Sequence, residues 1–285
     1  MSRPIFLAER MAKYFTMQIG RFWGESFPFY YVSEFPKSGG TWLASMLSDY
    51  LQLPFPRFTR LPVAFSCVLQ NHWSYDSRLR RVTTIYRDGR DVMSSLFYDK
   101  IRVAQHSDRS GRDRVRKVYR KLFGRDVSPD EIVELLPRFM EFEFTNPGRG
   151  ARESWPDFVM GWHNKPHVVS VSYEELLQDS VGALRGVIER LTDQEVDDWK
   201  LETAVEKYRF ERVTGRKRGT VDIAQHARKA VAGDWKNTFS REAAEVFNHY
   251  AGNALVELGY EQDKQWIDRT EFAAAGSKTA QSGGS

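Results

Sequence analysis

Phe29–Val32 is a short continuous apolar run, and Trp42, Leu43, Met46, Leu47 and Tyr50 then recur at helical spacing. This predicts a strand followed by a helix over Thr41–Leu51, closed by Pro54 and Pro56. The same order returns at Val82–Tyr86, with helical spacing through Val92, Ser95, Leu96 and Tyr98, and again at Val168–Ser172, with a helix over Tyr173–Leu177. Val181–Leu191 reads as a further amphipathic helix, and Thr192-Asp193-Gln194-Glu195 has the form of a capping box opening a helix toward Tyr208. Ser240 is placed to cap a last helix whose apolar face includes Phe247, Ala251 and Leu255, with Gly259 as its stop. Residues 1–28 are expected to form an N-terminal arm or helix, 100–143 a helical excursion, Arg212–Arg228 a loop or flap, and 266–285 a disordered tail. Repeated strand, loop and helix units predict an α/β fold, with residues 29–265 as one domain around a central parallel sheet flanked by helices on both faces.

The loops at the strand ends carry the candidate chemistry. Pro36-Lys37-Ser38-Gly39-Gly40 joins the first strand to its helix. Two consecutive glycines let backbone N–H groups turn toward an anion, the helix N-terminus adds its positive end, and Lys37 supplies a mobile charge. In the common nucleoside-triphosphate loop the lysine follows the glycines. Here it precedes them, which points to a different phosphate chemistry, although this loop alone is equally readable as a glycine turn with a surface lysine. Arg87-Asp88-Gly89-Arg90-Asp91 follows the Val82–Tyr86 strand, as a second phosphate site at the same sheet edge would.

Composition narrows the setting. A chain of 285 residues with 41% hydrophobic content can bury a full core. No apolar run approaches the roughly 20 residues needed to span a bilayer, and no signal-peptide pattern opens the chain, so the expectation is a cytoplasmic protein without a transmembrane segment. The single cysteine, Cys67, rules out an intrachain disulfide and reads as a small buried residue. No metal-ligand set is visible. A net charge of +4 suits an anionic ligand, but an excess of this size does not mark a nucleic-acid binder, and none is expected. From Lys100 to Lys121 nine Lys/Arg stand against two Asp, and a solvated helix face is preferred there over attraction of an anionic acceptor or a membrane.

Three stretches in order carry a family resemblance: Pro36-Lys37-Ser38-Gly39-Gly40-Thr41-Trp42, Tyr86-Arg87-Asp88-Gly89-Arg90-Asp91-Val92-Met93-Ser94-Ser95, and Arg228-Lys229-Ala230-Val231-Ala232-Gly233-Asp234-Trp235-Lys236. Together they resemble the cytosolic-type sulfotransferases over about residues 29–260. That family has a P-loop-like α/β fold and uses 3′-phosphoadenosine 5′-phosphosulfate (PAPS) as sulfuryl donor. The resemblance implies that Lys37 stabilises the bridging oxygen of the breaking bond, that Ser38, Gly39, Gly40 and Thr41 cradle the 5′-phosphate, and that Trp42 stacks on adenine. Arg87 and Ser95, with Arg228 and Lys229 opposite, would clamp the 3′-phosphate. Tyr173 and Phe210 resemble the remaining adenine contacts, while each is also readable as core. Gly233-Asp234-Trp235 resembles a structural turn, and Asp88, Arg90 and Asp91 are read as loop ion pairs and a helix N-terminal charge.

His72 stands where the family keeps its catalytic base, which would take the acceptor proton during attack. Three positions depart from the family: Gly40 where threonine is usual, Gln70 where a lysine is common, and Ala230 in place of glycine. The implied reaction is in-line transfer from PAPS to a hydroxyl or amine of a small-molecule acceptor, with no metal. A P-loop kinase or a nucleotide-binding protein without catalysis are the alternatives, and the oligomeric state is left open.

Overall fold

A computed structural model of the chain describes residues 3–106, 111–147, 153–192, 194–217, 219 and 231–272. In chain order these form α1 (Arg3–Trp23), β1 (Phe29–Glu34), α2 (Gly40–Leu51), β2 (Cys67–Asn71), β3 (Val82–Tyr86), α3 (Gly89–His106), α4 (Gly111–Phe123), α5 (Ile132–Thr145), α6 (Trp155–Trp162), β4 (Val168–Ser172), α7 (Tyr173–Gln178), α8 (Ser180–Leu191), α9 (Asp198–Lys207), α10 (Phe210–Thr214) and α11 (Arg241–Glu257). The chain divides into two compact units, Met1–Arg87 with Gly148–Ala232, and Asp88–Pro147 with Gly233–Ser285.

The first unit holds the sheet. Its four strands are all parallel, in the order β2-β1-β3-β4. A parallel sheet needs cover on its faces, and the strands are accordingly buried along most of their length, with Val32, Val68, Ile85 and Val171 packed against Leu43 and Leu47 of α2 and Leu184 and Ile188 of α8. Because the strands run one way, Glu34, Asn71, Tyr86 and Ser172 end them at one edge, and the segments that follow gather there. From β1 the chain moves to β2 on one side and then crosses to β3 on the other. The crevice outside the carboxyl end of β1 is therefore the place where a doubly wound sheet receives its ligand.

The second unit is helical, built from α3, α4, α5 and α11, with 3₁₀ turns at Pro129–Glu131, Asp234–Asn237 and Lys264–Arg269. Phe97, Phe139, Phe239, Phe247 and Trp266 are its fully buried rings. Ser240 caps α11 by accepting from the Ala243 amide at 3.2 Å, and Gly259 ends the turn at φ 77°.

Several local expectations change. The stretch before Val82 contains β2, so Val82–Tyr86 is the third strand in sequence. β2 pairs on one side only and ends in Gln70 and Asn71, which leaves it just three apolar residues for a periodicity argument to find. The helix expected from Thr192 starts at Asp198, because Asp197 accepts from the Lys200 amide at 3.0 Å while the Thr192 hydroxyl turns back to the Ile188 carbonyl at 3.0 Å. Within the expected flap, Arg212–Thr214 belong to α10, which Gly215 ends in a left-handed conformation. Most of the remaining flap lies outside the described residues, as does the expected tail from residue 273, but the tail's first residues are ordered, with Trp266 and Ile267 buried in the turn at Lys264–Arg269. Cys67 is buried as expected, and burial pushes its thiol up to about 12.

Candidate functional site

The loop between β1 and α2 is built around two glycines and one lysine, of which Gly39 and Lys37 have left-handed backbone conformations. Gly39 has φ 100°, and a Cβ there would stand 2.7 Å from the Tyr173 ring. Gly40 has ordinary backbone angles, but a Cβ on it would lie 2.4 Å from the carboxylate carbon of Glu34. Lys37 is held at φ 78°, a left-handed conformation that costs a non-glycine residue about 1 kcal/mol or more and tends to mark functional constraint.

The loop's donors divide into two sets. The Ser38 amide donates to the Phe35 carbonyl at 3.2 Å, and the Gly40 amide donates to Glu34 Oε2 at 2.5 Å. The amides of Gly39 and Thr41 meet no partner among the described residues. Nor does the Ser38 hydroxyl, although Ser38 is 0% exposed. A buried hydroxyl left unbonded costs about 1–3 kcal/mol, so this donor fits an anion seated in the loop.

Glu34, the last residue of β1, is the organiser that sequence reasoning missed. It is 4% exposed, yet its carboxylate faces the loop. One oxygen takes the Gly40 amide, and the other takes the Gln70 side-chain amide from the neighbouring strand β2. Gln70 in turn accepts from the Thr41 hydroxyl at 3.1 Å. The Glu34 backbone carbonyl meets His72 Nδ1 at 2.8 Å. A carbonyl can only accept, so Nδ1 carries the proton and the neutral ring leaves its lone pair on Nε2. Asn71 steadies this segment, with its Oδ1 accepting from the Ser33 hydroxyl at 3.1 Å and the Trp73 amide at 3.0 Å. The Trp162 indole donates to the Trp73 carbonyl at 2.9 Å. A strand-end glutamate followed six residues later by glycine was the one trace of this arrangement in the sequence.

Arg87, at the end of β3, reaches back over the loop. Its guanidinium lies 4.4 Å from the centre of the Tyr173 ring and donates to the carbonyls of Val231 at 2.9 Å and Lys37 at 3.4 Å. Trp42 meets Tyr173 edge to face at 6.1 Å and donates its indole N–H to the Tyr208 carbonyl at 2.9 Å. Phe210 opens α10 and is buried, with the Arg216 guanidinium 5.3 Å from its ring centre. The first unit thus joins Lys37, Ser38, Gly39, Gly40, Thr41, Trp42, His72, Arg87 and Tyr173 through contacts at one sheet edge. Phe210 enters by sequence proximity to Tyr208 alone.

Ser95 belongs to α3 in the second unit, where it is half-buried. Arg228, Lys229 and Ala230 lie outside the described residues. Asp88, Arg90 and Asp91 have the structural parts expected of them, all within the second unit. Arg90 donates to Asp88 at 2.7 Å and to Glu261 at 2.5 Å, and its guanidinium lies 3.9 Å from the Trp235 ring centre and 4.7 Å from that of Trp266. Asp91 accepts from the amides of Gly233 at 2.7 Å and Trp235 at 2.8 Å, which ties the second motif to the third.

Comparison with known proteins follows the same lines. A family model described as the sulfotransferase domain matches residues 52–259. The chain is 23% identical to mouse sulfotransferase 2B1 over 227 residues, which is 73% of this chain and 57% of that protein. It is 28% identical to human sulfotransferase 2A1 over 41% of this chain and 45% of that protein. With bovine sulfotransferase 1A1 it shares 24% identity over 275 residues, covering 85% and 89% of the two chains. The chain therefore spans less than two thirds of the first two relatives and most of the third.

Among solved structures, mouse sulfotransferase SULT7A1 complexed with PAP superposes with a TM-score of 0.54 at 18% identity, covering 85% of this chain and 89% of that one. Retinol dehydratase in a complex with retinol and PAP gives 0.53 at 14% identity, with 80% and 81% covered. These likenesses establish the shared fold.

Proposed function

The chain belongs to the sulfotransferase family, and from that premise we propose that it moves a sulfuryl group from PAPS to a hydroxyl or amine of a small-molecule acceptor. The observation that carries this reading is the bond from His72 Nδ1 to the Glu34 carbonyl at 2.8 Å. It fixes the tautomer a base needs and anchors it on the residue whose side chain holds the Lys37–Thr41 loop.

PAPS supplies an activated sulfuryl group on its 5′-phosphate. His72 Nε2 takes the proton as the acceptor oxygen or nitrogen bonds to sulfur and the bond from sulfur to the phosphate oxygen breaks. Lys37 neutralises the charge that grows on that leaving oxygen. The unpartnered Ser38 hydroxyl and the Gly39 and Thr41 amides hold the 5′-phosphate, and Trp42, Tyr173 and Phe210 take adenine. By the family resemblance, Arg87, Ser95, Arg228 and Lys229 are assigned to the 3′-phosphate. No covalent help from the protein is required, since positioning and charge neutralisation carry transfers of this kind. The products are the sulfated acceptor and 3′-phosphoadenosine 5′-phosphate. Relatives of solved structure support the donor, because SULT7A1 and retinol dehydratase were crystallised with PAP. A lone cysteine kept as a buried thiol is in keeping with a cytoplasmic setting.

Incubation with PAPS and a panel of phenols, alcohols and amines, read by mass spectrometry, tests the activity. Sulfated product should form and should fall by about 10²-fold or more in His72→Ala and Lys37→Ala. Transfer that survives unchanged in both variants would overturn these roles. One observation favours a second reading. Gln70, which stands where the resemblance implies a lysine, bonds the Glu34 carboxylate and adds no cation, as in a nucleotide-binding protein without transfer chemistry. That reading gains if PAP raises the melting temperature but no acceptor is sulfated.

A further inference from the structure

We propose that α1 and the adjoining residues 57–65 form a surface that docks this protein onto an anionic lipid bilayer. The inference is independent of the transfer reaction. α1 buries one face, through Ala12, Thr16, Met17 and Gly20, and the Val63 amide donates to the Thr16 hydroxyl at 2.9 Å, fastening the 57–65 segment beside the helix. The opposite face carries Leu7, Met11, Tyr14, Phe15 and Phe22, spaced as one helical stripe, and each of them is 45–62% exposed. The adjoining segment adds Phe58, Leu61 and Phe65, all exposed. Phe58 is held at φ 55°, a conformation a bulky residue rarely adopts. Isolated exposed apolar residues are ordinary, but aromatic side chains aligned on one helix and continued by a fastened loop are the pattern of an interaction surface.

Charge selects the partner. Residues 1–28 and 55–81 hold nine Lys/Arg against three Asp/Glu, while the whole chain has a net charge of only +4. The rest of the molecule is therefore slightly acidic, and the excess lies in the two stretches that carry the exposed apolar residues. Arg10 and Lys13 are exposed on α1, the Arg78 guanidinium lies 5.9 Å from the Phe22 ring centre, and that of Arg57 lies 5.3 Å from the Phe58 ring centre. Two copies meeting through this surface would bring like charges together, whereas an anionic headgroup layer neutralises them. Among the described residues no helix is long and apolar enough to cross a membrane. α1 would lie in the interface, rings at the headgroup level and basic side chains on the phosphates.

Cosedimentation of the full chain with vesicles tests this, using phosphatidylcholine alone and phosphatidylcholine with about 30% phosphatidylserine. Binding is expected to the anionic vesicles, to fall with added salt, and to drop roughly tenfold or more in Phe15→Ser/Phe22→Ser and in Arg10→Glu/Lys13→Glu. These side chains are exposed, so circular dichroism and melting should be unchanged in both variants. Absence of binding to either vesicle overturns the proposal. So does equal binding to neutral vesicles that Arg10→Glu/Lys13→Glu leaves intact. A dimer in sedimentation that Phe15→Ser/Phe22→Ser abolishes would assign the surface to a second copy instead.

Discussion

Adding one methyl group at position 40 should cost this protein about 2 kcal/mol, and removing the Glu34 side chain should abolish that cost. A Cβ on Gly40 would stand 2.4 Å from the Glu34 carboxylate carbon and 2.7 and 2.8 Å from its oxygens, far inside contact distance. Position 40 has ordinary backbone angles, so the conflict is steric rather than torsional. Gly40→Ala must push the carboxylate aside, and with it the bonds from the Gly40 amide at 2.5 Å and from Gln70. Bonds to a charged group contribute about 1.5–3 kcal/mol each, partly recovered by rearrangement, and alanine in place of glycine returns up to about 1 kcal/mol in a helix. In a Glu34→Ala background the methyl group has room, and Gly40→Ala should be neutral or stabilise by about 0.5 kcal/mol. Urea denaturation of the four proteins closes the cycle, with an expected coupling of about 2 kcal/mol. Equal costs for Gly40→Ala in both backgrounds would refute the idea that Glu34 dictates this glycine.

Arg90→Ala should destabilise by about 3–5 kcal/mol, because it removes the buried ion pairs with Asp88 and Glu261 and the packing of the guanidinium on Trp235 and Trp266; a loss under about 1 kcal/mol in chemical denaturation would contradict a structural role. Asp76 bonds the Arg78 guanidinium and pairs with Arg21 at 2.6 Å, which holds its carboxyl down to about 2. A depressed carboxyl contributes stability above its unfolded pKa near 4 and loses it as pH falls through the folded value, so melting should drop between about pH 4 and 2. With Arg78 half-exposed this contribution is screened to about 1 kcal/mol, and Asp76→Asn should flatten this limb of the stability profile. Gln70→Lys alone should leave transfer rates within about threefold, because the new ammonium would pair with Glu34, whereas the same change with Glu34→Ala should raise them. Steady-state rates of the three proteins would expose the reasoning as wrong if the single change did as much as the double.

The sheet was legible where strands are continuous and apolar and their loops carry glycine or arginine, as at Val82–Tyr86 and Val168–Ser172. β2 was not, because an edge strand with three apolar residues gives no period to read. The start of α9 was misplaced for a related reason. A capping box is a pattern of side chains, and Asp197 competed with Thr192 for the same helix end. Lys37, Gly39 and Gly40 were readable as site candidates from loop chemistry, and His72 from the family resemblance. What joins them was hidden, since a hydrogen bond between residues 34 and 72 leaves no local mark in either stretch.

Glu34 changes what the family departures mean. Taken one at a time, Gly40 lacks a hydroxyl and Gln70 lacks a charge, and each looks like a weakened site. In the structure both answer to one carboxylate. Gly40 is the residue without a side chain to collide with it, and Gln70 is a neutral donor that bonds it while accepting from Thr41. A lysine at position 70 would bond Glu34 too, but it has no acceptor to offer the Thr41 hydroxyl. The three residues therefore form a single exchange of one loop support for another, in which the Gly40 amide bonds the protein itself. On this arrangement the proposed chemistry depends on Lys37 and Arg87 more heavily than the motifs alone would imply.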